Sequence, residues 1–300
     1  DVLKPGHQVG LLSRFSVGDN GLGRTGMVTV AGKTDTFDNG GGLGALLGIS
    51  GTRTYATYKN GGGRSSEEFI GEDNKYLRQE PRSQLYKINF NVDQFNRFEF
   101  SGRNYRNSFT RRDISSDDYY LRYNYAPLNE LVEFNVLAST SRGNQAYKPE
   151  SLYNFNDSST TNKSNALDMN NTSRFRITDD LYAAFQLGGK LMDTRYSRRF
   201  VQDTETDHNA FAPAGKQKIA SLYSGLTLNK DIYQLDLNLN YTRSRVQGYK
   251  PACADNEKCF PQGATQLNVK DNGFNPSATF SAQVTPWLQP FVSWSQIGRA

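Results

Sequence analysis

The sequence predicts an all-β chain: an up-and-down antiparallel sheet of about thirteen strands that forms part of a transmembrane β-barrel. Three observations carry this expectation. Apolar and polar residues alternate with period two along many segments, the connections between those segments alternate between short and long, and the composition is polar overall yet rich in aromatics. In Tyr233-Gln234-Leu235-Asp236-Leu237-Asn238-Leu239-Asn240-Tyr241 every odd position is apolar or aromatic and every even one polar. A strand with one greasy and one wet face reads this way, because successive side chains point to opposite sides. Leu235, Leu237 and Leu239 are therefore expected to face lipid, with Asp236, Asn238 and Asn240 facing a wet lumen.

Similar alternation runs through Tyr86, Ile88, Phe90 and Val92, through Tyr119, Leu121, Tyr123 and Tyr125, and through Ala278, Phe280, Ala282 and Val284. Weaker strands are expected near 7–17, 22–32 and 43–55. Short connections lie at Gln94-Phe95-Asn96, Pro127-Leu128-Asn129, Thr178-Asp179-Asp180, Asn229-Lys230-Asp231 and Thr285-Pro286-Trp287. Between them come polar stretches, read as loops, at 56–83, 103–118, 142–172, 193–218 and 246–272. Alternation alone also fits a β-sandwich or β-propeller. The loop asymmetry favours a barrel with short turns at one membrane face and long loops at the other. Phe95, Phe98, Tyr125, Tyr182, Tyr233, Trp287 and Trp294 near strand ends suit an interfacial aromatic girdle.

Composition narrows the class further. Only 36% of residues are hydrophobic, yet 18 Phe, 17 Tyr and 2 Trp argue against disorder. No apolar run is long enough for a membrane helix, which leaves barrel strands as the means of crossing. The net charge of +5 comes from scattered residues of both signs, without the basic stripe of a nucleic-acid binder. Cys253 and Cys259, close together in a polar stretch, read as a local disulfide formed in an oxidising compartment.

Several short motifs resemble those of TonB-dependent outer-membrane receptors, in particular the branch for haem, haemoglobin and hemophores. Asp1-Val2-Leu3-Lys4-Pro5-Gly6 resembles the "DLLKPG" entry into the barrel. Thr285-Pro286-Trp287-Leu288 resembles the "tpwl" turn, and Tyr125-Ala126-Pro127-Leu128-Asn129 the "YNP..n" turn of the haem branch. Phe291 to Ala300 resembles the strand leading into the "FRAP/YRAP" box, with Arg299-Ala300 at its centre and Gly298 in place of the aromatic. The resemblance implies a barrel of about 22 strands sealed by a plug. Residues 1–300 are then part of the barrel domain, with the plug, the TonB box and the remaining strands outside them. It also implies outer-membrane location, energy from a TonB complex reached through the plug region, and haem or a haem-carrying protein as transported cargo rather than a resident cofactor. The branch's iron-ligating histidines are expected in the plug and after residue 300.

Among the residues present, His208 is the histidine within a long polar loop, and a neutral imidazole can ligate haem iron. A solvated loop histidine is the plainer reading, and plainer still for His7 at the foot of a strand. Arg111-Arg112 and Arg198-Arg199 suit propionates, lipid phosphates or a protein partner, or simple solvation. Asp117-Asp118 and Asp179-Asp180 are paired in sequence, but neighbours on a strand point apart and turns favour Asp. No nucleophile elbow, phosphate loop or metal-spaced cluster is present, so no enzyme is expected. The expected function is uptake of haem, or of iron from a haem carrier; the alternatives are uptake of a siderophore or other small nutrient, and an outer-membrane or secreted β-protein with an enzymatic or adhesive role.

Overall fold

The computed structural model describes residues 2–55, 57–66, 68, 78–109, 112–148, 158–200, 214–250, 252 and 263–296. Among these residues thirteen strands follow one another: β1 (Val9–Gly18), β2 (Gly23–Lys33), β3 (Gly42–Arg53), β4 (Gln79–Asn91), β5 (Asn96–Phe109), β6 (Arg112–Tyr125), β7 (Phe134–Tyr147), β8 (Ser158–Arg176), β9 (Leu181–Phe200), β10 (Gly215–Lys230), β11 (Tyr233–Lys250), β12 (Thr265–Ala282) and β13 (Phe291–Ser295). Each pairs antiparallel with its sequence neighbours, so spatial order equals chain order from β1 to β13. The sheet is a partial barrel, as the alternation and the hairpin turns predict.

Register explains the two faces. Leu235, Leu237 and Leu239 lie opposite Leu228, Leu226 and Ser224 of β10 on one side and Phe280, Ala278 and Pro276 of β12 on the other. Because register is kept from strand to strand, one face of the whole sheet becomes apolar. On that outer face Phe98 stacks on Tyr123 at 4.7 Å and Tyr233 on Phe280 at 5.8 Å, both near the short turns. The inner face takes the polar set: Thr227 donates to Asp236 at 2.7 Å, Ser221 and Thr242 share a bond of 3.0 Å, and Lys87 pairs with Glu99 at 3.0 Å. Tyr182 departs from the girdle expected of it. Its register partners Arg176 and Asn229 place it on the inner face, where the Arg176 guanidinium sits 5.7 Å from its ring.

The short turns fall where the sequence puts them, and Asx geometry fixes the tightest. The Asp93 carboxylate accepts from the backbone N–H of Phe95 at 2.7 Å and of Asn96 at 2.8 Å, closing β4–β5. These bonds, the Phe95 one foremost, hold the Asp93 carboxyl below the usual carboxylate range. In the β8–β9 turn, Thr178 donates to Asp180 at 2.6 Å and Lys230 pairs with Asp180 at 3.2 Å, which lowers that carboxyl too.

The long polar stretches are shorter as loops than the sequence suggests. Segment 103–118 is almost entirely β5 and β6, joined by residues 110–111. The other connections at this end reduce to 54–78, 148–157, 201–214 and 251–264, and β1–β2 is joined by only 19–22. Beyond the apolar band both faces of a strand are wet, so period two disappears while the hydrogen-bonded ladder continues. Strand length makes this visible: β1 to β7 have 10 to 14 residues, whereas β8 to β12 have 16 to 20.

Two glycines hold tyrosine rings flat against the sheet. A Cβ on Gly102 would lie 2.2 Å from the ring of Tyr86, its partner on β4, and one on Gly188 would lie 2.4 Å from the ring of Tyr223, its partner on β10. The first pair is on the outer face and the second on the inner.

Candidate functional site at the inner rim

Where β5 to β9 rise past the apolar band, register gathers aromatic and basic side chains on the inner face at the end away from the short turns. Arg112 lies opposite Tyr147, and its guanidinium sits 4.9 Å from the ring of Phe109. One step towards the turns, Ile114 faces Gln145, Gln145 faces Thr160, and Thr160 faces Arg198. The next row holds Tyr196, opposite Asn162 of β8 and Gly215 of β10. Three rows thus bring Phe109, Arg112, Tyr147, Tyr196 and Arg198 onto one patch, from segments separated by up to 89 residues between Phe109 and Arg198.

Arg198 is half-buried and approaches Ser158 Oγ at 3.5 Å, while Gln145 donates to the Tyr147 hydroxyl at 2.5 Å. Burial pulls the Arg198 guanidinium down from its ordinary value, and Tyr196 and Tyr147 oppose that pull. It still carries its charge at neutral pH, as arginines do. Nearby on the inner face of β5, Asn107 is 6% exposed and its side-chain carbonyl has no hydrogen-bond partner among the described residues. Cations beside aromatic faces suit a ligand that carries anionic arms on a flat body, whereas the Asn107 carbonyl would take a donor. Among the described residues no group of three or more His, Cys, Asp or Glu is placed to hold a metal.

Below the patch the inner face is a continuous polar wall. Asn124 donates to Asn135 at 2.9 Å, Asn135 to Asn170 at 3.4 Å, and Asn170 to Asp168 at 3.5 Å. The hydroxyl of Tyr223 closes the row by donating to Asp168 at 2.6 Å. Farther along, Asp118 accepts from Arg103 at 2.9 Å and Ser116 at 2.8 Å, while Asp117 pairs with Arg106 at 2.8 Å on the opposite face. The two adjacent carboxylates therefore never meet, and both serve structural ion pairs.

Of the residues singled out in the sequence, Arg198 and Arg199 separate by strand alternation, Arg198 inward and Arg199 outward. His7 is exposed in the turn before β1, its backbone N–H donating to Lys4 at 3.1 Å. His208, Cys253, Cys259, Arg111 and the Arg299-Ala300 end lie outside the described residues. Tyr147, Tyr196, Phe109 and Asn107 carried no signal in the sequence, because they converge only through cross-strand register.

A family model described as "TonB dependent receptor-like, beta-barrel" matches residues 19–300. The chain belongs to this family. Members are outer-membrane receptors and transporters, not enzymes. A "Probable TonB-dependent receptor" of Haemophilus influenzae is 23% identical over 261 residues, covering 74% of this chain and 28% of that protein. The Serratia marcescens hemophore receptor HasR, solved with its hemophore HasA and heme, superposes with a TM-score of 0.78 at 17% identity, over 98% of this chain and 46% of that one. The ferric-catecholate import receptor Fiu of E. coli K12 superposes with a TM-score of 0.64 at 12% identity, over 95% of this chain and 53% of that one. The chain thus spans 28% of the curated relative's length and about half of each of these solved receptors.

Proposed function

We propose that this chain is a wall segment of an outer-membrane transporter that takes up haem, or iron from a haem-carrying protein, using energy from a TonB complex. The observation that carries this reading is Arg198, set on the inner face between Tyr147 and Tyr196. A guanidinium binds a propionate through charge-assisted hydrogen bonds, while aromatic faces suit a macrocycle. The 201–214 connection, which includes His208, leaves β9 three residues after Arg198. His208 is accordingly our candidate for an axial contact to haem iron. The likeness to HasR supports the reading without deciding the cargo. The plug, the contact with TonB and further strands completing the barrel at the free edges of β1 and β13 belong to the same proposal. So does a disulfide between Cys253 and Cys259, which mass mapping of the unreduced receptor would test by finding the two joined in one peptide.

Haem titration of the full-length receptor, followed by absorbance, tests the cargo. Arg198→Ala should weaken haem binding about tenfold or more, the scale of a charge-assisted bond, and His208→Ala should shift the haem absorbance maximum. Unchanged affinity in Arg198→Ala would remove the inner-rim patch from the binding site. The likeness to Fiu favours one second reading, a ferric catecholate, whose anionic aromatic rings suit the same patch. Tight binding of a ferric catecholate by a receptor that ignores haem would select it.

A further inference from the structure

The outer face of β8 to β12 changes character within two steps of the ladder. The row Met169, Gly189, Leu222, Tyr241 and Phe274 is apolar throughout. One step away from the short turns come Leu167, Leu191 and Ala220, with Arg243 beside them. The next row reads Asp193, Lys218, Arg245 and Lys270, so three cations stand directly opposite one another on adjacent strands. The row beyond repeats the pattern with Lys163, Arg195 and Lys216.

Like charges directly opposite in a sheet repel and destabilise the pairing. Among the described residues one carboxylate answers these cations: Asp193, 3.0 Å from Arg195 and 3.7 Å from Lys218. Arg245 spends one donor on Asn268 at 3.2 Å, and among the described residues no carboxylate pairs with Arg243, Arg245 or Lys270. At the junction lies a groove of about 630 Å³ whose floor includes Leu167, Leu191 and Ala220 and whose rim carries Lys218, Arg243, Arg245 and Lys270. Grooves of this size are typical of ligand sites.

We infer that this groove binds a phosphate-bearing lipid of the membrane's outer leaflet, with its phosphate among Lys218, Arg245 and Lys270 and an acyl chain along the Leu167–Leu191 floor. The inference rests on the reading of the chain as membrane-spanning. Charge and position select the occupant together. The cations demand an anion, and the apolar floor continues without a break into the face that meets hydrocarbon, so the ligand must be polar above and greasy below. The site is at the end away from the short turns, which in barrels of this kind is the cell exterior. The anionic group is therefore that of an outer-leaflet lipid. Clustered cations beside a bilayer recognise lipid phosphates in the same way elsewhere. Bound phosphate also removes the repulsion that the two cation rows otherwise impose on β8 to β12.

The test uses the full-length receptor purified in detergent, with bisphosphorylated lipid A and its fully dephosphorylated form as probes and native mass spectrometry as readout. Wild-type receptor should retain the phosphorylated form at least tenfold better. The triple variant K218Q/R245Q/K270Q should lose that preference while keeping the heat-modifiable migration of a folded barrel and normal cargo uptake, since these side chains face away from the lumen. Asp193→Asn should raise retention severalfold, because it removes the carboxylate that stands in the groove beside Lys218. Equal retention of both probes by wild type, or a preference that survives in the triple variant, would overturn the lipid site and leave the transporter reading standing. A receptor that fractionates away from the outer membrane would overturn both.

Discussion

The two sides of the sheet use the same ladder for different ends. In β1 to β7 the strands have 10 to 14 residues, little more than the 9 to 11 or so that a tilted strand needs to cross a bilayer. In β8 to β12 the strands have 16 to 20 residues, and roughly half of each lies beyond the apolar band. On β11, Tyr233 to Tyr241 is the crossing part, nine residues long, and Thr242 to Lys250 is the extension. The contrast teaches that a strand is held by two separate causes. Within the band the apolar face fixes register, because a slip of one residue would turn every leucine inward. Above it, register is inherited from below, and side chains on both faces are free to serve ligands: Arg198 and Tyr196 inward, Lys218, Arg245 and Lys270 outward.

The largest test of this contrast lies within one strand and one face. Leu237→Arg, in the middle of the crossing part, should cost about 2–4 kcal/mol if it stands at the bilayer midplane. Tyr249→Arg, on the same face twelve residues on, should change stability by less than about 0.5 kcal/mol. Guanidinium titration of the full-length receptor in lipid vesicles measures both, and equal costs would erase the distinction between crossing and extension.

The paired tyrosines come next. Gly188→Ala must push the Tyr223 ring off the sheet and break its bond to Asp168, and Gly102→Ala must move Tyr86 on the outer face. Overpacking of this kind costs about 1–3 kcal/mol. Adding Tyr223→Ala to Gly188→Ala should recover part of the loss, which a double-mutant cycle will read as a favourable coupling. Additive costs would mean the ring already has room to move.

The smallest effect is in the short turns that both sides share. Asp93 and Asp180 have carboxyls held below the unfolded value near 3.8, so their contribution is fully present above about pH 4 and fades as pH falls through the lower folded value. Asp93→Asn should therefore flatten the fall in unfolding free energy below pH 4 and leave the behaviour at pH 7 to 8 with no added slope. An unaltered acid limb would show that the turn bonds of Asp93 do not distinguish folded from unfolded chain.

The crossing parts were legible in the sequence because Leu235, Leu237 and Leu239 alternate against Asp236, Asn238 and Asn240, and the turns because Gln94-Phe95-Asn96, Asp180 and Pro127 stand between alternating runs. The extensions were not, since Val246 to Lys250 opens the polar stretch 246–272 and looks like a loop. The same blindness hid the inner-rim patch. Arg198 and Arg199 read as one cluster until alternation sends them to opposite faces, and Tyr147 meets the Arg198 neighbourhood only through the pairing of β7, β8 and β9. Tyr182 near a strand end looked interfacial, yet parity with Arg176 turned it inward.

The asparagine row on the inner wall has a directional consequence. The amide of Asn124 gives to Asn135 and that of Asn135 gives to Asn170, so two amide bonds run the same way around the wall from β6 to β8, and the amide of Asn170 then gives to Asp168 along β8. A carboxylate accepts and cannot donate, which makes Asp168 the terminus that sets the sense of the chain. Replacing it by Asn would remove an acceptor that can never donate, leaving the sense of the row to the Gln186 amide, which also donates to Asn170 at 3.4 Å. A single negative charge on β8 thus imposes polarity on a stretch of wall that is otherwise neutral.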